Sequence, residues 1–242
     1  MKTQKKESST EFLARLVQID PRPREDREAE REGRSFENQR AAAPLVDELN
    51  RAGFPVSWVS DLRQCENYQE ALPILFRWLP IMGNTDVKTD IVRRLSVPAA
   101  KASALPLFLD EYRRVTDKDG ELSMALGNGL EIFADDSIFE DLALLAEDRA
   151  RGEGRPFVVL ALGKMRNPRA VEVLVRLLDD KEVASWAIVA LGKLGASTAR
   201  SKIEKFLEHP DSYVRREAKK ALARIDKKLQ PRTGRRSSSR LA

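Results

Sequence analysis

Apolar positions along this chain recur at helical spacing, and from Glu66 onward the recurrence itself repeats five times. Leu95, Leu130, Leu162, Leu191 and Leu222 each follow an apolar residue four positions back: Ile91, Leu126, Val158, Ala187 and Ala218. Eight positions back stand Val87, Leu122, Gly154, Val183 and Val214. Residues four apart share one helix face, so each set predicts the buried stripe of one helix. A second ladder runs between them. Ala71, Ala104, Ile138, Ala170 and Ala199 are followed four residues on by Leu75, Phe108, Leu142, Leu174 and Ile203, and eight on by Leu79, Tyr112, Ala146, Leu178 and Leu207. The pattern therefore predicts five helix pairs, the second ladder giving the first helix of each pair.

Start signals agree with this register. Eleven residues before each leucine of the first ladder stand Asn84, Asp119, Arg151, Asp180 and Asp211. Asn and Asp are N-cap residues, whose side-chain oxygen takes an orphan N–H of the first turn; only the Arg151–Gly154 stretch breaks both cap and stripe. For the first helices, Asn167-Pro168 supplies a cap followed by proline, Ser137 with Glu140 has capping-box spacing, and Ser197 is the cap expected for the last pair. The Ala-Leu-Gly-Lys at Ala161–Lys164 returns at Ala190–Lys193 and, degenerate, at Ala221–Arg224. Their leucines are 29 and 31 residues apart, a period that marks a helical-repeat array. The predicted fold is all-α, a right-handed α-α superhelix of about five helix pairs over 66–225. A divergent helical cap precedes it over 41–65, its helix stopped at Gly53.

The flanks read differently. Residues 1–40 hold few apolar positions apart from a short amphipathic stretch, Thr10–Asp20, with Phe12, Leu13, Leu16 and Val17 at helical spacing. Such a segment has too little surface to bury and is expected to be a disordered arm. Residues 226–242, rich in Ser, Arg and Lys, read as a basic disordered tail.

Charge changes the picture once it is located. The whole chain of 242 residues carries a formal +5. Residues 1–40 have 10 basic and 9 acidic residues, residues 227–242 have 6 basic and none acidic, and 41–226 have 27 against 29. The body is near neutral, without the net positive charge that phosphate-dominated binding needs; the tail is the candidate contact for nucleic acid. The basic N-terminus has no apolar signal region and no apolar run is long enough for a bilayer, so the expectation is a cytoplasmic protein with no membrane contact.

Candidate chemistry is sparse. A single cysteine (Cys65) and a single histidine (His209) leave no disulfide framework, no cysteine- or histidine-built metal site and no Ser/His/Asp or Cys/His nucleophile set. Gly127-Asn128-Gly129 and Gly152-Glu153-Gly154 follow no predicted strand, so they are not nucleotide fingerprints. No cofactor, no metal and no enzymatic activity are expected.

Asp211-Ser212-Tyr213-Val214-Arg215-Arg216-Glu217-Ala218-Lys219-Lys220-Ala221-Leu222 resembles the D-x-x-V-R-x-x-A-x-x-A-L second helix of HEAT-like repeats of the phycobilisome-lyase type. Asp180…Val183…Ala187…Ala190-Leu191 is similar, with Ala184 in place of the arginine, and Ala71-Leu72-Pro73 and Ala104-Leu105-Pro106 resemble the opening of the first helix. The resemblance covers about 66–225 and implies a solenoid whose second helices line a concave partner surface. It speaks for fold far more than for function. Within the family, a di-iron hydroxylase would need several histidines, which this chain lacks. A protein-interaction scaffold or adaptor is the expected function; a nucleic-acid-binding protein related to the alkylation-repair DNA glycosylases is the alternative, and a bilin lyase or pigment chaperone a third.

On that surface the candidate partner-binding residues are Lys88, Asn128, Glu131, Arg155, Phe157, Trp186 and Arg215. Lys88, Arg155 and Arg215 occupy the recurrent basic position of the repeat. Asn128, Glu131 and Arg155 are expected as a cluster, either a staple between repeats or the polar floor of a groove. Trp186 and Phe157 hold equivalent positions one repeat apart and are either core or an exposed apolar patch. Trp58 and Trp78 read as core. Two glycines in mid-helix, Gly127 and Gly129, mark close approach of a neighbouring helix or of a ligand.

Overall fold

The computed structural model describes residues 24–116 and 119–229. By its contacts the chain divides into two units, residues 1–40 and 41–242. No strand occurs among the described residues.

The first helix, α1 (Arg24–Arg51), begins well inside the segment expected to be a disordered arm. Residues 28–40 are exposed apart from half-buried Asn38, so no core stripe announced the helix. Arg, Glu and Ala are strong helix formers, and Glu28/Arg31, Glu30/Arg34 and Glu37/Arg40 have the three- and four-residue spacing of favourable charge pairs. Only from Ala42 does α1 bury apolar side chains, with Leu45 and Leu49. It ends as expected at Gly53, whose φ of 93° lies in the left-handed region. The Phe54 N–H reaches back to the Leu49 carbonyl, closing the helix end. The amphipathic stretch Thr10–Asp20 and the tail beyond Leu229 lie outside the described residues.

After a 3-10 segment at Val59–Gln64, the helix pairs follow in order: α2 (Leu72–Trp78) with α3 (Thr85–Leu95), α4 (Lys101–Arg114) with α5 (Gly120–Phe133), α6 (Phe139–Glu147) with α7 (Arg155–Leu162), α8 (Arg169–Leu177) with α9 (Ala184–Leu194), and α10 (Arg200–Glu204), extended by a 3-10 turn, with α11 (Ser212–Leu229). The second helices α3, α5, α7, α9 and α11 pack in sequence, each on the next. Every position of both ladders is buried except Leu207, which is half-buried.

Small residues set the spacing of this stack. A Cβ on Gly163 would stand 2.9 Å from the Cα of Ala190, and one on Gly192 would stand 2.7 Å from the Cα of Ala221. The glycine of each Ala-Leu-Gly thus receives the alanine of the next copy. The last copy has Ala223 instead, and Ala223 is exposed. Gly127 and Gly129 have the same explanation. A Cβ at 127 would meet the Gly154 carbonyl oxygen at 2.5 Å, and one at 129 the Phe108 ring at 2.3 Å. Neighbouring elements, rather than a ligand, fill the space.

Asn84, Asn167 and Asp211 cap as expected, accepting the N–H groups of Val87, Arg169 and Tyr213. Asp119 instead turns back to Thr116. The cap near α6 is Asp135, which accepts from the Ser137 N–H at 2.8 Å, so Ser137 is the capped residue and not the cap. No side-chain cap bond is made at the Ser197 turn. Pro73 sits in the first turn of α2, whereas Pro106 lies inside α4.

Candidate functional site

The irregular Arg151 stretch is where three helix ends are tied together. Asp148 caps a 3-10 segment, Arg149–Gly154, that carries Gly152 at φ 55°. Arg151 does no capping at its own helix start. Its guanidinium donates to the Tyr112, Arg113 and Val115 carbonyls, at 3.1, 2.6 and 3.3 Å, satisfying the orphan acceptors at the end of α4. Asp148 holds it at 2.7 Å and is in turn kept below the ordinary carboxylate range by that hydrogen bond, the Ala150 N–H and the neighbouring charge. The Gly154 N–H donates to Ser123 Oγ, which itself donates to the Arg151 carbonyl.

Arg155, expected on the partner face, is inside the protein, 1% exposed. Its Nε donates to the Ala146 carbonyl at 2.7 Å, closing the end of α6, while Nη2 reaches Asp180 at 2.5 Å and Nη1 reaches Glu182 at 3.1 Å. Burial drives the Asp180 carboxyl upward in pKa, but the Arg155 hydrogen bond, the Glu182 N–H and the charges of Arg155 and Arg149 outweigh it and leave the group below its ordinary value. Removing a buried partner of this kind strands a charge, so the cluster is a staple between repeats. Its members are not those predicted. Asp180 caps as expected, accepting the Glu182 N–H at 3.1 Å through one oxygen, and through the other it is also the main partner of Arg155; Glu131 pairs instead with Lys164 at 3.2 Å.

The other two recurrent basic residues are also bound within the fold. Lys88 donates to buried Glu111 at 2.8 Å, and Arg215 donates to the His209 and Pro210 carbonyls at 2.6 and 2.7 Å. The repeat's basic position therefore serves structure in Lys88, Arg155 and Arg215 alike. Lys164 and Lys228 close helix ends in the same manner, on the Glu131 and Leu194 carbonyls.

What remains outward on the second helices is apolar in the middle of the array. Phe157 and Trp186 are half-buried at equivalent positions of α7 and α9, with Trp186 resting partly on the core. Leu160 and Val189, again 29 residues apart, are half-buried three positions further along each helix. On α5, Met124 is half-buried, Asn128 is exposed, and Ile132 is 41% exposed. Acidic residues Glu121, Glu153 and Glu182 repeat near the start of these helices, and Lys164 and Lys193 stand exposed at their ends. Of the predicted site residues, Asn128, Phe157 and Trp186 belong to this face, with Glu131 at its edge. Met124, Leu160 and Val189 were missed, although the 29-residue recurrence of Leu160 and Val189 is readable in the ladder itself.

Trp58 and Trp78 are half-buried against the core, and both indole N–H groups find carboxylates, Asp90 and Glu48. Among the described residues no three His, Cys, Asp or Glu side chains converge as metal ligands, and no helix is long and apolar enough to cross a membrane.

Stacked helix pairs with a shared core and small-residue contacts between successive second helices define an α-helical repeat protein. Residues 179–233 match the family model of HEAT repeats, and residues 157–180 match that of the PBS lyase HEAT-like repeat. The segment from Phe157 to residue 233 thus carries HEAT repeats. The match starts just past the Gly152 irregularity, and the pairs before it continue the same ladders with longer spacing. No curated protein matches the chain.

Proposed function

We propose that this chain is a non-enzymatic interaction scaffold that holds a protein or peptide partner across the outward face of its second helices, around Phe157, Leu160, Trp186 and Val189. The observation that carries this reading is the repeated pair of half-buried apolar side chains on α7 and α9. Aromatic anchors set in a partly desolvated surface are the usual centres of binding energy, and a stack of rigid repeats presents them with little reorganisation. The acidic residues recurring at one edge favour a polypeptide over a phosphate backbone on this face. HEAT repeats generally mediate contacts between proteins, in keeping with the same reading.

The test is affinity capture from source lysate with the intact chain and with a Phe157→Gln/Val189→Gln variant, each with and without nuclease, after confirming that the two melt alike. A partner retained by the intact chain, indifferent to nuclease and lost from the variant supports the proposal. Capture unaffected by the two substitutions would refute the assignment of this face.

A further inference from the structure

The charge of this molecule is more polarised than its total suggests. Residues 212–242 hold 11 basic and 2 acidic residues, a net +9, while residues 1–211 hold 32 basic and 36 acidic, a net −4. Part of that excess lies on a formed helix. On α11 the buried stripe is Val214, Glu217, Ala218, Ala221, Leu222 and Ile225. The opposite face presents Arg216, Lys219, Lys220 and Lys227, all exposed, with Ala223 among them. At about 1.5 Å per residue this stripe is roughly 16 Å long.

The two carboxylates of the helix offset only part of it, since one of them is shared by two cations and the other is engaged from outside the helix. Glu217 is buried beneath Arg216 and Lys220, at 3.2 and 2.8 Å, and its pKa is held down first by the Lys220 hydrogen bond. Asp226 is engaged by Arg200 at 3.0 Å. Spacings of three and four residues put like charges side by side (Arg216 with Lys219 and Lys220, Lys220 with Arg224), which disfavours the helix, and Arg215 closes the first turn, against the helix dipole. Among the described residues nothing packs over this face.

From this arrangement we infer that the exposed face of α11 is a binding surface for the phosphate backbone of nucleic acid, at the last of the second helices, where Lys220 holds the ladder position of Leu160 and Val189; it is carried by different side chains from those of the function proposed above. The ligand class follows from the chemistry of the stripe. Four cations along about 16 Å span the axial rise of about five nucleotides of one strand, at roughly 3.4 Å each. A membrane-surface helix needs an apolar flank beside its basic face, and the apolar side of α11 is already spent on the core. Recognition is of phosphate rather than base, because three of the four cations are lysines, which act as point charges, and the one guanidinium, Arg216, is engaged by Glu217 and lies over the Tyr213 ring.

The experiment uses the full chain and a labelled 20-base-pair duplex of arbitrary sequence, with binding followed by fluorescence anisotropy as a function of salt. Each neutralised phosphate contributes about 0.9 to the slope of log K against log salt. Lys219→Gln/Lys220→Gln/Lys227→Gln is expected to flatten that slope by about 2 to 3 and to weaken binding in low salt by about tenfold or more. Circular dichroism checks that the variant keeps its fold. A second variant, Arg232→Gln/Arg235→Gln/Arg236→Gln/Arg240→Gln, isolates the tail and is expected to retain the α11 component of the slope. The inference is overturned if the intact chain does not bind the duplex at low salt, if the lysine variant keeps the intact slope, or if the tail variant abolishes binding. Vesicles containing phosphatidylserine serve as the competing anion; binding to them as tight as to the duplex would also overturn it.

Discussion

Gly192→Ala separates the packing account of the repeat motif from ordinary helix propensity, because the two predict opposite signs. Gly192 lies inside α9, where replacing glycine by alanine should stabilise by roughly 1 kcal/mol if nothing else changed. The added Cβ, however, would stand 2.7 Å from the Cα and 2.8 Å from the Cβ of Ala221, where ordinary contact begins near 3.4 Å. These atoms belong to backbone and to a one-carbon side chain, so no rotamer change relieves the overlap and α9 must move from α11 by several tenths of an ångström. Overpacking costs typically about 1–3 kcal/mol, and an overlap of backbone on backbone falls in the upper half of that range, about 2–3 kcal/mol, leaving a net loss of about 1–2 kcal/mol. For a chain of this size that is a fall in Tm of about 2–8 °C. Gly33→Ala is the control, since nothing lies within 4 Å of a Cβ at that helical position. It should raise helix content by far-UV circular dichroism without lowering Tm. Thermal melts of both variants decide the matter: a Gly192→Ala protein as stable as the parent, or more so, would refute the claim that Ala-Leu-Gly recurs because successive second helices touch there.

Two further outcomes follow from the buried ionic network. Arg155→Met should lower the free energy of unfolding in urea by about 3–5 kcal/mol, because it leaves Asp180 without its main partner and the Ala146 carbonyl without a donor; a loss below about 1 kcal/mol would show that the cluster is solvated. Asp148, Asp180 and Glu217 have folded pKa values below their ordinary 3.8, 3.8 and 4.5. A depressed carboxylate contributes stability that is complete above the unfolded value and is lost as pH falls through the folded one. Melting temperature should therefore be level from neutral pH down to about 5 and fall below about 4, and the deficit of an Asp180→Asn variant should shrink over that acid range. A deficit that stayed constant down to acid unfolding would exclude Asp180 as a source of the pH dependence.

The helix pairs were legible in the sequence because the evidence for them is local. Stripe and cap both lie within one helix, as Asn84 with Val87, Ile91 and Leu95 illustrates. The site was less legible because its residues are assigned by partners in other repeats. Arg155 reads as an outward arginine until Asp180 and Glu182, 25 and 27 residues on, are seen to enclose it. The cap role of Asp180 is local and legible; its second role, as the partner of Arg155, is not. Helix α1 upstream of Ala41 was missed because propensity and charge spacing stabilise it without burying anything, and the hydrophobic pattern is silent there. Gly127 and Gly129 left packing and ligand both open; the Gly154 carbonyl and the Phe108 ring decide for packing.

Site-specific photocrosslinking would test the central claim most directly. A benzophenone-bearing residue is placed in turn at Leu160, on the outward face of α7, and at Leu144, 72% exposed on the first helix of the same pair. If a partner lies across the second helices, position 160 should yield one dominant protein adduct that position 144 does not, and Trp186→Ala should remove it. Equal adducts from both positions, or none from 160 while the partner remains bound, would contradict the account.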